Sequence, residues 1–113
     1  MPGLPQNQVL MSQYIYNVTL KVEWAINTDW LEWMKTVHMP EVLATGCFQE
    51  SRLLRLMEVD DTEGPTYAAQ YTAPNKESYN RYITQYAEGL RRKSFDQWGN
   101  RFIAFRSVME LVH

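Results

Sequence analysis

Residues 14–24 alternate between apolar and polar positions. Tyr14, Tyr16, Val18, Leu20, Val22 and Trp24 fall on one face, and of the residues between them only Ile15 is apolar. A side-chain period of two predicts a long strand with one buried face. The period then changes. Asn27-Thr28-Asp29 offers helix-capping residue types with an acid where the helix dipole favours it, and Trp30, Trp33, Met34 and Val37 recur at helical spacing. Pro40 has no N–H for the hydrogen-bond ladder, so this helix is expected to end or kink there. It can restart over residues 40–45, with Gly46 as its stop. Residues 47–58 predict a second strand of imperfect alternation, for which a bulge near Leu53-Leu54 would account. An acidic loop from Asp60 to Pro65 leads to a third strand over 66–73, with Tyr67, Ala69 and Tyr71 on one face. Asn75 is the expected N-cap of a second helix whose stripe is Tyr79, Tyr82, Ile83, Tyr86 and Leu90, with Arg91-Arg92-Lys93 toward its C-terminal end. Phe95 and Trp98 are expected to anchor a connection that turns at Gly99-Asn100. Residues 101–112 predict a fourth strand that is apolar on both faces, as a central strand would be.

The order β-α-β-β-α-β with right-handed crossovers describes a ferredoxin-like α+β fold: a four-stranded antiparallel sheet with two helices on one face. The other face has no helix to cover it. Apolar residues on both sides of the last strand therefore call for a second cover, and the sheet of another copy is the simplest one. A homodimer is the expected assembly. Residues 1–12, punctuated by Pro2, Gly3 and Pro5, are expected to form a flexible leader, which leaves 13–113 as a single domain.

Composition narrows the function classes. The 113 residues, 45% hydrophobic and 21% charged, suffice for one folded domain without disulfides or metals. A net charge of −2 lacks the basic footprint of a nucleic-acid binder. The charge is uneven: residues 1–75 carry four bases and nine acids, residues 76–113 seven bases and four acids. Opposed halves favour self-association as readily as an anionic ligand. Cys47 is the one cysteine, so no intrachain disulfide can form and a buried thiol is expected. With His38 and His113 as the only imidazoles, a structural zinc site cannot be assembled. No apolar run reaches membrane-spanning length and the N-terminus is unlike a signal peptide, so the expected setting is cytoplasmic, with no membrane partner.

The candidate chemistry centres on His38, one turn beyond Met34 at the flank of the first helical stripe. Such a histidine can be an acid or base beside a pocket, or it can cap the helix in its charged form. Glu41 can orient it, or can stabilise the start of the second helical segment. Arg52, Arg55, Arg106, Glu50 and Glu110 lie on strands expected to be covered, where charges need partners. Ion pairs across a dimer would supply them, as would a carboxylate ligand held bidentately by an arginine. Tyr16, Tyr67, Tyr71, Tyr79, Tyr82 and Tyr86, with Trp30 and Trp33, are either core or the lining of an aromatic pocket.

Tyr16-Asn17-Val18-Thr19, Trp30-Leu31-x-Trp33-Met34, His38-x-Pro40-Glu41-Val42-Leu43-x-Thr45-Gly46, Leu54-Arg55-Leu56 and Phe105-Arg106-x-x-Met109-Glu110 span nearly the whole chain. Together they resemble a small Bacteroidetes family known only as a domain of unknown function, which implies a fold and no activity. Locally, Trp33-x-x-x-x-His38-x-Pro40 is similar to the first-helix motif of EthD-like proteins and their dimeric α/β-barrel relatives. These include antibiotic-biosynthesis monooxygenases, muconolactone isomerases and rhamnose mutarotases. The resemblance implies a dimeric α/β barrel with a pocket between sheet and helices in each subunit, a small organic substrate and, in many members, no cofactor. Relatives that hold haem do so through a second-helix histidine, which this chain lacks. The resulting expectation is a cofactor-independent enzyme, isomerase-like or oxygenase-like. His38 would be its acid or base, and Trp33, Glu41, Tyr16, Tyr71 and Arg106 would surround the substrate. The other readings are a non-catalytic dimeric ligand-binding protein and a structural or assembly protein.

Overall fold

In the computed structural model, which describes residues 12–113, the alternating segment forms β1 (Tyr14–Val22) in the interior of the sheet. The expected leader over 1–12 lies outside the described residues apart from Ser12. With β2 (Glu50–Arg55), β3 (Thr66–Ala73) and β4 (Phe102–Glu110), β1 makes a four-stranded antiparallel sheet of order β2-β3-β1-β4. The register sets Tyr16 beside Tyr71 and Val108, Val18 beside Ala69 and Arg106, and Leu20 beside Tyr67 and Ala104. Directly opposed residues share a face, so these positions look one way and Asn17, Gln70, Arg52 and Ser107 look the other. The first face carries the core: Tyr16, Leu20, Val22, Tyr67, Tyr71 and Ala73 are buried with helical residues Trp30, Met34, Val42, Tyr82 and Leu90. This is the expected ferredoxin-like α+β arrangement.

The first helical arm runs through Pro40 without a break. A 3-10 turn, Trp24–Ile26, leads into α1 (Asn27–Trp33), then a π turn, Met34–His38, then α2 (Met39–Ala44). A proline ring crowds the carbonyl four residues back. Here the backbone widens just before Pro40, and the Met39 N–H bonds to the Met34 carbonyl five residues back. The expected kink is thus replaced by a wide turn that keeps Trp33 and His38 on one rod. Gly46, at φ 77°, closes the arm as expected. Asn27 does not cap α1; its Oδ1 accepts the Tyr67 hydroxyl at 2.7 Å.

Asn75 does cap α3 (Lys76–Gln85), its Oδ1 accepting the Ser78 N–H at 2.8 Å. Asn75→Ala is expected to cost about 1 kcal/mol of stability. A urea titration checks this, and an unchanged midpoint would mean that the cap contributes nothing beyond what water supplies. The chain turns at Tyr86 and resumes as α4 (Ala87–Trp98). Arg91-Arg92-Lys93 therefore lies inside a helix, not at the end of one, and Phe95 and Trp98 belong to α4, not to a connection. The physical reason is that helical spacing persists past Leu90, through Arg91, Ser94 and Trp98.

Two strands depart from expectation. β2 holds one unbroken register with β3 from Glu50 to Arg55, without a bulge at Leu53-Leu54. Its alternation is weak because it is an edge strand, with only Ser51 and Leu53 half-buried. β4 is the opposite edge, not a central strand. On its open face Phe105 is 67% exposed, Ile103 57% and Met109 43%. The strand charges are likewise at the surface: Arg55 pairs with Asp61 at 3.1 Å, Arg52 Nε donates to Gln70 at 2.9 Å, and the Tyr14 hydroxyl donates to Glu110 at 3.1 Å.

Candidate functional site

The sheet and the helices do not close fully on each other. A pocket of about 60 Å³, partly continuous with solvent, remains between them. Its apolar walls come from Val18 and Leu20 of β1, Ala69 of β3, and Trp30 and Met34 of the first arm. Alternation on β1 and β3 turns Tyr16 and Tyr71 into it, and β4 adds Phe102 and Arg106. The π turn ends on His38, which lines the pocket with Trp33.

Five residues nominated from the sequence, Tyr16, Trp33, His38, Tyr71 and Arg106, thus meet in one cavity. Glu41 does not line it; its carboxylate accepts from Lys93 Nζ at 2.8 Å. Tyr82 and Trp30 are in the lining, while Tyr67, Tyr79 and Tyr86 are not. Tyr67 stacks on Trp30 with ring centroids 5.4 Å apart. Arg91 and Ser94 are the polar lining residues that sequence reasoning missed. Arg91 reads as part of a solvated basic helix end, and the signal to the contrary was the same helical spacing that extends α4.

The His38 ring stacks on Trp33, with centroids 4.9 Å apart and planes 20° from parallel. Burial is the main cause that lowers its pKa to about 4; the Glu41 charge pulls the other way and the Arg106 charge pushes it further down. The imidazole is neutral at neutral pH, so it does not serve as a charged helix cap. Among the described residues, none hydrogen-bonds to it. In the unfolded chain His38 protonates near 6.5, in the folded protein near 4. Its contribution is therefore complete above 6.5 and is lost as pH falls toward 4, by up to about 3 kcal/mol. Wild-type melting temperature is expected to fall more steeply than that of His38→Gln over this interval. Parallel curves would place the ring in contact with water instead.

Tyr71 and Tyr82 are 2% and 3% exposed, and burial pushes both phenols up, so each keeps its proton. Neither makes a hydrogen bond to another described residue. The Tyr16 hydroxyl accepts from Arg91 Nη2 at 3.2 Å. The site therefore presents neutral donors and acceptors and two guanidinium groups against aromatic walls. Cys47 is buried away from it, Sγ 3.9 Å from the Thr45 carbonyl oxygen. Among the described residues no group of three or more His, Cys, Asp or Glu could hold a metal ion. No helix among them is long and apolar enough to cross a membrane.

Fold and site together define a ferredoxin-like subunit with an aromatic pocket between its sheet and helices. The chain belongs to the DUF4286 family, a domain of unknown function, which matches residues 13–112. Its fold is shared with a dimeric ferredoxin-like protein from an uncultured marine organism, at TM-score 0.66 and 14% identity, over 90% of this chain and 97% of that one. It is shared as well with an ethyl tert-butyl ether d (EthD) family protein from Bacillus halodurans, at TM-score 0.65 and 11% identity, over 88% of this chain and 99% of that one. No curated protein matches the chain.

Proposed function

We propose that the protein binds a small organic molecule in this pocket and moves a proton to or from it through His38, as an isomerase-like or oxygenase-like enzyme that calls on no cofactor. One observation carries the reading: His38, Tyr71 and Tyr82 line one cavity open in part to solvent, and none of them hydrogen-bonds to another described residue. Hydrogen-bonding groups not used by the protein, set among apolar and aromatic walls, fit a site that a ligand completes. Proton abstraction is the step His38 would contribute. The resulting carbanion is reprotonated elsewhere in an isomerase, or meets oxygen in an oxygenase.

The low pKa of His38 also favours a second reading, a non-catalytic binding protein in which the imidazole only hydrogen-bonds the ligand, because a base this weak is poorly matched to neutral pH. A thermal-shift screen of wild type and His38→Gln against a metabolite panel separates the two. The enzyme reading expects a compound that stabilises wild type and that wild type, but not His38→Gln, converts. A compound bound but never converted supports the binding protein. If no compound shifts wild type, both readings fail.

The same proposal takes the working form to be a homodimer, a dimeric α/β barrel in which a second copy covers the open sheet face around Ile103, Phe105 and Met109. The exposure of those residues supports it, as does the dimeric state of one structural neighbour. The setting is a reducing cytoplasm in which Cys47 stays a thiol, with neither nucleic acid nor membrane as partner.

A further inference from the structure

Charge on the pocket is one-sided. Arg91 and Arg106 are its charged lining residues at neutral pH, and no carboxylate lies among them. One guanidinium comes from the helical wall and the other from the sheet. Three other bases have acidic partners: Arg55 pairs with Asp61, Arg92 with Glu88, Lys93 with Glu41. Arg91 instead donates to a neutral acceptor, the Tyr16 hydroxyl. Arg106 makes no hydrogen bond or ion pair among the described residues. Both charges are felt inside: both act to lower the Tyr82 phenol, and Arg106 acts on His38. The phenols of Tyr71 and Tyr82 stay protonated, so the site supplies no anion of its own. Arg91 and Arg106, both exposed in the single chain, offer an anionic ligand charge-assisted hydrogen bonds beside apolar walls.

The remaining walls state what else that ligand should be. Trp33 and His38 form a flat stack, and Trp30 and Phe102 add further rings, so the walls suit a flat aromatic group. The fork of Arg106, free of partners, fits a carboxylate bidentately. Building on the small-molecule reading above, we propose that the pocket selects a small aromatic carboxylate. Its carboxylate sits on Arg106 with Arg91 beside it, its ring lies against the Trp33–His38 stack, and a ring substituent meets the Tyr71 and Tyr82 hydroxyls.

Calorimetric titration of the full chain tests this with 2-hydroxybenzoate, its neutral isostere 2-hydroxybenzamide, the ringless anion acetate, and phenyl phosphate. The carboxylate is expected to bind at least ~10-fold more tightly than the amide and than acetate, and Arg106→Gln to weaken it by ~10-fold or more, with Arg106→Lys between. Arg106 is exposed and unpaired, so Arg106→Gln should melt with wild type, which excludes loss of fold as the cause. Equal binding of carboxylate and amide, or an Arg106→Gln that binds as wild type does, would overturn the anion proposal while leaving the small-molecule pocket standing. Tighter binding of phenyl phosphate would overturn the carboxylate in favour of a phosphoryl group. If none of the four binds, the proposal fails, and the metabolite panel judges the pocket independently.

Discussion

Trp30→Ala is expected to remove about 3–5 kcal/mol of stability, the range for truncating a buried large aromatic. Trp30 is 1% exposed and joins the first helix, the sheet and the pocket. It is the anchor of α1, it stacks on Tyr67 of β3, and it walls the pocket. The Tyr67 hydroxyl in turn donates to Asn27 at 2.7 Å, so losing the indole also loosens the contact that ties the start of α1 to the sheet. For a domain of this size the melting point should drop by roughly 10–20 °C. The variant should also lose ligand binding, since the cavity it opens merges with the pocket. Trp33→Ala is the informative contrast. Trp33 is half-buried and stacks on His38, so its removal should cost less stability while still impairing the site. Guanidinium titrations of both variants check the order. A Trp30→Ala loss below about 1 kcal/mol would mean that the neighbours collapse onto the space and that the indole is not the keystone of this core.

The fold was legible because β1 is a strand with one buried face, and a face buried under helices imposes a strict period of two. The same rule explains where legibility failed. β2 is an edge strand with few buried positions, so its sequence carries little alternation, and a bulge was a natural but wrong account of Leu53-Leu54. β4 is apolar on both faces, which usually marks a central strand; here it marks an edge whose apolar residues this chain leaves exposed. The helical arm misled for a different reason. Proline chemistry demands relief at Pro40, but residue types do not reveal whether relief comes as a break or as a π turn, and only the second leaves Trp33 stacked on His38. The candidate site was legible wherever strand alternation points residues inward, as for Tyr16, Tyr71 and Arg106. Arg91 escaped because a basic triplet looks solvated, while its position on the inner stripe depended on α4 extending to Trp98.

Phe105→Asp is expected to convert a dimer into a folded monomer. The open sheet face has features of a surface prepared for burial. Its apolar residues are concentrated on β4, where Phe105 is 67% and Ile103 57% exposed in the single chain. Burying side chains of this kind is worth roughly 1.5–3 kcal/mol each, counted once per copy. Across the same face runs a polar row with its own partners: Arg52 Nε donates to Gln70 at 2.9 Å, Gln70 to Asn17 at 3.2 Å, and Asn17 to Thr19 at 3.1 Å and to Ser107 at 3.5 Å. These bonds satisfy part of the row in advance and give a second copy a register to match, while the rest of the Arg52 fork needs an acceptor from that copy or from water. An aspartate at 105 brings a carboxylate into that contact from each copy, and desolvating it costs several kcal/mol per ion. The subunit itself should survive, because Phe105 lies outside the core. Sedimentation equilibrium should give twice 13.4 kDa for wild type and 13.4 kDa for Phe105→Asp, with unchanged circular dichroism. A monomeric wild type would leave the open face without its proposed cover. A variant that stays dimeric would move the contact off this face, and the unpaired edge of β4, with Val108 exposed beside it, would be the remaining surface through which two copies could join.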